Sequence, residues 1–374
     1  MTLNLRKLPK ISLHDHLDGG LRAQTVFELA QEFKVPVEGQ TATEVQHWFE
    51  QTANSGSLVE YLKCFDVTTA LMQTKPALTR IAREFVLDLV TDGVIYGEVR
   101  WAPEQHLLGG LTLDEAVDAV QDGLEQGMHE AEKAGRFVRT GQLITAMRHA
   151  DRALEIAELA VRHRESGVVG FDIAGAELGF PPSNHQLAFD YLASELMPVT
   201  VHAGEADGVA SIRDALVTGR ALRIGHGVRL IEDIFAAREE GDTDFVELGE
   251  VARWVFDRGI ALEMCPSSNL QTGAIEFMRS GGDDEDSDQR AGLADHPLPI
   301  MLELGFKVTV SPDNRLLGGT SVTRELELLV AEFDLEPEDI LTLQLNAASA
   351  AFQDREHRDE LMDVIEEEFE RLNK

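Results

Sequence analysis

The chain has 374 residues, 43% hydrophobic and 6% aromatic, enough apolar material for a sizeable core and long for one domain unless the fold is an α/β barrel. Lys and Arg number 33 against 67 Asp and Glu, a formal net charge of −34; DNA, RNA and anionic membrane surfaces are repelled at long range, and the acidity reads as a solubility device. Two distant cysteines, Cys64 and Cys265, exclude a disulfide framework and a thiolate zinc site. No apolar run is long enough to span a bilayer and no signal region precedes Pro9, so the expected location is a reducing cytoplasm.

The first predicted strand, Ile11–Gly19, ends in His14-Asp15-His16-Leu17-Asp18. Residues two apart in a strand share a face, so His14 and His16 project together and Asp18 continues the row. Two imidazoles and an acid form part of a metal site that needs ligands from elsewhere. A helical region follows near Thr25–Lys34. Short helices are expected over Thr43–Gln51 and Leu58–Met72; residues 36–75 are a candidate lid, although Leu58, Leu62 and Phe65 suit ordinary packing equally well.

From residue 76 the pattern is regular. A helix over Pro76–Thr91 ends at Gly93 and precedes a strand at Val94–Trp101. A helix over Leu113–Ala134 opens on Thr112 and closes on Gly135. Thr140–Met147 reads as a strand, and Asp151 as the cap of a helix reaching Glu165. Strands are expected at Val168–Gly175, Pro198–His202, Leu222–Gly225, Ile260–Cys265 and Lys307–Val310. Helices between them are expected at His185–Leu196, Arg213–Thr218, Phe245–Arg258 and Leu298–Leu304. The acidic stretch Gly282–Asp288 reads as a solvated loop. Residues 320–374 read as a helical tail packed outside. With no internal repeat or domain boundary, residues 1–374 are taken as one domain.

Eight strands separated by helices predict a (β/α)8 TIM-type barrel with extra helices. An open doubly wound sheet is the rival. It would carry a glycine-rich phosphate loop after its first strand, where this chain has histidines.

Strand ends then collect the chemistry. The fifth ends in His202-Ala203-Gly204-Glu205, the sixth in Gly225-His226-Gly227, and the seventh in Cys265-Pro266-Ser267-Ser268-Asn269. The eighth ends in Ser311-Pro312-Asp313-Asn314. Barrel enzymes keep their active sites at this face. His14, His16, His202 and Asp313 supply three imidazoles and a carboxylate, a set that suits Zn2+ or Fe2+ and leaves a position for water. Glu205, three residues past a ligand, can carry a proton; His226 can orient or deprotonate the water.

These segments, together with Pro9–Gly19, Val169–Glu177 and Arg223–Gly227, occur in one order over residues 9–314 and resemble the adenosine and AMP deaminase family of the amidohydrolase superfamily. The resemblance implies one Zn2+ per chain on His14, His16, His202 and Asp313. It implies that Glu205 protonates the purine N1, and that His226 and Asp313 hold the zinc water and take its proton. In this reading Asp18 meets ribose hydroxyls, Gly175 meets the purine through its backbone, and His16 also lines the substrate. Asn314 stands where a second aspartate is familiar; an amide can still donate to N7. The implied reaction is hydrolytic deamination of adenosine, and of 2′-deoxyadenosine, to inosine and ammonia in purine salvage. Adenine, a modified adenosine or an aminofutalosine-type nucleoside are alternative substrates. Another mononuclear amidohydrolase reaction is a further rival, while the absence of lysine from strand four speaks against a two-metal site. A non-catalytic zinc-binding barrel has no use for Glu205 or His226. The expected partner is a small purine nucleoside, with no nucleic acid and no membrane, and monomer and homodimer are both open.

Overall fold

The computed structural model describes residues 3–54, 58–238, 244–278 and 290–373. Ten strands occur among them. In order they are β1 (Lys10–His16), β2 (Val94–Trp101), β3 (Arg139–Met147), β4 (Val168–Ala174), β5 (Thr200–Ala203), β6 (Arg223–His226), β7 (Ile234–Arg238), β8 (Asp244–Leu248), β9 (Ala261–Met264) and β10 (Val308–Val310). β1 to β4 pair in sequence order, and β10, β9, β6 and β5 form a second parallel run. Bridges between Asp15 and Asp313 and between Phe171 and Val199 join the two runs. The eight parallel strands therefore close on themselves, with helices between them, as the alternating pattern predicts.

Alternation along β1 sets the whole site. Ile11 and Leu13 lie in an apolar cluster with Tyr96, Ala347, Ala348, Leu361 and Ile365. Those last four residues come from helices Pro337–Ala350 and Arg355–Leu372, so the tail does pack on the outside of the barrel. Ser12, His14 and His16 consequently face inward.

Local signals place most helix ends. Thr112 forms a capping box with Glu115 at the start of helix Leu113–Lys133. Gly93 (φ 80°) stops helix Lys75–Asp92 in the left-handed conformation that glycine tolerates. Other boundaries depart from expectation. Asp151 caps nothing: the helix begins at Ala153, behind Arg152, and ends at Arg162. The helix read from Arg213 starts earlier, at Val209.

The largest departure is at Phe245–Leu248, read as the first turn of a helix. These residues form β8, antiparallel to β7 in a hairpin outside the barrel, and the helix spans only Glu250–Arg258. Its start is set by Asp233, whose carboxylate accepts the N–H groups of Val251 and Ala252, both at 2.9 Å. A cap supplied from seventeen or more residues upstream leaves no mark next to the helix.

Helices Ala42–Ala53 and Leu58–Leu71 fill the segment considered as a lid. The side chains of Leu58 and Leu62 lie outside the described residues, and Phe65 packs against the main core. The acidic stretch Gly282–Asp288 also lies outside them.

The barrel interior is charged below the rim. Glu98, Arg100, Asp172, Arg223 and Glu263 point inward, each at most 1% exposed. Arg100 reaches Asp172 at 3.0 Å and Glu263 at 2.6 Å. Arg223 reaches Glu263 at 2.5 Å and also pairs with Glu98. At the bottom the tail covers the stack: Phe352 N–H donates to Glu98 at 2.7 Å, and the Phe352 ring lies 3.6 Å from the Arg223 guanidinium. Removing one member of such a buried set leaves an uncompensated charge, at a cost of about 3–5 kcal/mol.

Candidate active site

Backbone pairing between the first and last strands brings distant candidate ligands together. Asp313 N–H donates to the His14 carbonyl at 3.0 Å, and His16 N–H to the Asp313 carbonyl at 2.8 Å. The Asp313 carboxylate then lies 3.4 Å from His14 Nε2 and 3.3 Å from His16 Nε2. His202, at the end of β5, sets its Nε2 3.2 Å from His16 Nε2. One nitrogen each from His14, His16 and His202 lies within 4.8 Å of the others.

What stands behind the imidazoles decides which nitrogen carries the proton. His14 Nδ1 meets Glu263 at 3.0 Å, and His202 Nδ1 meets Asp172 at 2.9 Å. A carboxylate accepts, so the proton of each ring sits on Nδ1 and the Nε2 lone pairs turn inward. His14 Nε2 and Asp313 Oδ1 are buried and take no hydrogen bond. Lone pairs and a carboxylate oxygen converging in a buried space repel one another unless a cation lies between them. The donor set, three imidazole nitrogens and one carboxylate oxygen, therefore fits a borderline divalent ion. Arg100 ties the two backing carboxylates together from below.

The backbone at the rim is held in unusual conformations. His226 (φ 61°) and Asp313 (φ 60°) are left-handed although neither is glycine, a strain that clusters at functional sites. Gly225 has no room for a side chain: an added Cβ would come within 3.2 Å of His14 Cε1. Gly19 is more constrained still, since its Cβ would overlap Asn314 Oδ1 at 1.8 Å.

Glu205 sits beside this cluster, its Oε2 3.4 Å from His226 Nε2 and its Oε1 2.9 Å from Thr272 Oγ1. Burial, then the Asp313 and Glu177 charges, push its carboxyl up to about 8, which favours the protonated form. Glu177 shapes the loop that carries it, accepting Gly204 N–H (2.7 Å), Glu205 N–H (3.1 Å), Ala206 N–H (2.7 Å) and the Ser211 hydroxyl (2.5 Å). Burial takes His226 well below the ordinary imidazole range.

Asp18 lies just past His16, with Oδ1 buried, unpartnered and 3.8 Å from His16 Nδ1; burial raises its carboxyl to about 6. Gly175 (φ 99°) follows β4 directly, and a Cβ there would meet Met147 Cε at 3.1 Å. The structure thus brings His14, His16, His202, Asp313, Glu205 and His226 into one group and stacks Asn314 on Gly19 beside it. Sequence reasoning gave no role to Arg100, Asp172, Glu177, Glu263, Asn269 or His296. Arg100, Asp172 and Glu263 were visible as charges inside apolar strands, Glu177 and Asn269 as polar residues just past strand ends, and His296, between a short turn and a helix, gave no signal.

A family model described as adenosine deaminase matches residues 9–368. Adenosine deaminase 1 of Streptomyces coelicolor is 49% identical over 93% of this chain and 83% of its own length. The adenosine deaminase of Mycobacteroides abscessus is 44% identical over 97% and 95%. Among solved structures, the adenine deaminase of Arthrobacter aurescens superposes with a TM-score of 0.78 at 25% identity, covering 96% of this chain and 98% of that one. With the match spanning nearly the whole barrel and the relatives this similar, the chain belongs to the adenosine deaminase family.

Proposed function

We propose that this single-domain chain hydrolyses the 6-amino group of adenosine, and of 2′-deoxyadenosine, releasing inosine and ammonia. The observation that carries the reading is the buried Glu205 carboxyl standing beside three converging imidazoles and the Asp313 carboxylate. His14, His16, His202 and Asp313 would hold one Zn2+, which when bound supplies a Lewis acid that makes a water nucleophilic near neutral pH. His226 and Asp313 hold the attacking water.

Protons balance without a further reagent. The water oxygen bonds to C6 while its proton passes to a carboxylate at the rim. Glu205 gives its proton to N1, so the charge pushed onto the ring is neutralised as it forms. The C6–N6 bond then breaks as the amino group takes the proton held at the rim. The C6 hydroxyl becomes the carbonyl and returns a proton to Glu205.

Asp18 favours a nucleoside over a free base. Its buried Oδ1 takes no hydrogen bond, and a ribose hydroxyl would supply one. The 44–49% identity to adenosine deaminases, against 25% to an adenine deaminase, points the same way. Among the described residues no helix is long and apolar enough to cross a membrane, in keeping with a cytoplasmic enzyme acting on small purines.

The test is ultraviolet absorbance of the zinc-loaded protein with adenosine, 2′-deoxyadenosine, adenine, AMP and an aminofutalosine nucleoside. The expected result is the highest kcat/KM with adenosine. Faster turnover of adenine or AMP would overturn the substrate; no turnover of any would overturn the deaminase reading.

A further inference from the structure

The tautomer of His226 follows from backbone groups that can only donate. Cys265 N–H points at one end of the Asn269 amide, 3.3 Å away, so that end is the carbonyl oxygen. Leu298 N–H points at His296 Nδ1 at 3.1 Å, which leaves the His296 proton on Nε2. From there it donates to the same Asn269 oxygen at 3.2 Å. Two independent donors therefore agree on how the amide is turned. Its NH2 group faces His226 Nδ1 at 3.0 Å. An NH2 group has only protons to offer, so His226 Nδ1 accepts and the ring proton sits on Nε2, toward Glu205.

We infer that Asn269 and His296 are positioning residues that lock His226 as the Nε2–H tautomer, the form that can donate a hydrogen bond to the attacking water while the Asp313 carboxylate takes its proton. This rests on the deaminase reading above, in which a carboxylate at the rim takes the water's proton. An oxygen that gains negative character as it loses its proton is stabilised by a fixed N–H and would gain nothing from a second base. The bonds balance: the O–H bond of water breaks, the proton joins the Asp313 carboxylate, the oxygen bonds to C6, and His226 keeps its own proton throughout.

The same lock accounts for a choice the geometry alone leaves open. Donor atoms of His14, His226 and Cys265 also lie within 4.8 Å of one another. With Nδ1 taken by an amide and Nε2 protonated, His226 has no lone pair for a cation. His14 and His202, backed by carboxylates, each have one.

The test uses zinc-loaded protein with 15N-labelled histidine and long-range proton–nitrogen correlation, the His226 signals being assigned by their loss in His226→Gln. A proton on Nε2 with a bare Nδ1 is expected; a proton on Nδ1 overturns the inference. Asn269→Asp replaces the donor with an acceptor and should move the proton to Nδ1. It should lower kcat by about 10²–10³-fold, as loss of one fixed donor does, while KM and zinc content stay unchanged. A switched tautomer with unaltered kcat would remove the donor role. If Asn269→Asp does not fold, the spectrum of the parent protein decides. That spectrum is readable whether or not any purine is turned over, so failure of this inference and failure of the deaminase reading are separate results.

Discussion

The rim carries similar imidazoles on β1, β5 and β6 and backs them oppositely. On β1 and β5, His14 and His202 stand on Glu263 and Asp172, and Arg100 neutralises both carboxylates from beneath. On β6, the neighbour of β5, His226 stands on the uncharged amide of Asn269. A carboxylate draws the ring proton to Nδ1 and leaves a basic nitrogen facing the site; an amide NH2 drives the proton the other way. The residue behind a histidine, more than the histidine itself, thus decides which ring nitrogen turns a lone pair or a proton toward the site.

The sharpest contrast is between His202→Ala and His226→Ala. The first should lose bound zinc and with it turnover, read by elemental analysis; the second should keep one zinc per chain and lose only activity. Equal metal content in the two variants would erase the distinction between the two kinds of imidazole. Next in size, Glu205→Gln should retain zinc and lose about 10²–10⁴-fold in kcat, the worth of a general acid. In the proposed reaction Glu205 acts while protonated, and with its carboxyl pushed up to about 8 activity should be present below that value and fall as pH rises through it. A bound dication draws the fall to lower pH, and the kcat/KM profile shows where it lies.

Smaller again is Asp172→Asn. An amide in place of the carboxylate turns His202 toward the arrangement of His226, and zinc affinity should drop by about 10–100-fold, measured by competition with a chelator. Unchanged affinity would mean that Arg100 and its carboxylates serve stability alone. The smallest effect is expected for Asn314→Ala: one lost hydrogen bond to the purine, about 0.5–1.5 kcal/mol, seen as a few-fold rise in KM with zinc content intact.

Much of this was legible in the chain. The β–α alternation predicted the closed parallel barrel, and each of the eight expected strands lies in it. Histidines and acids at strand ends were recognisable because strand periodicity and the habit of barrels place such residues at one face. The hairpin β7–β8 was not legible: Phe245–Leu248 suits a strand or a helix, and only pairing with Ile234–Arg238 decides. Asp172, Glu263 and Arg100 were visible as charges within apolar strands, yet their partners come from strands up to 163 residues apart.

By itself the sequence determined which residues face inward, through the two-residue period of each strand, and which strand ends carry imidazole or carboxylate. Only the tertiary structure decided what lies behind each of them. A tautomer depends on the group at hydrogen-bond distance from the far nitrogen. For His226 that group is held in turn by Cys265 N–H and by a histidine whose proton is set by Leu298 N–H, contacts that exist once the barrel has closed.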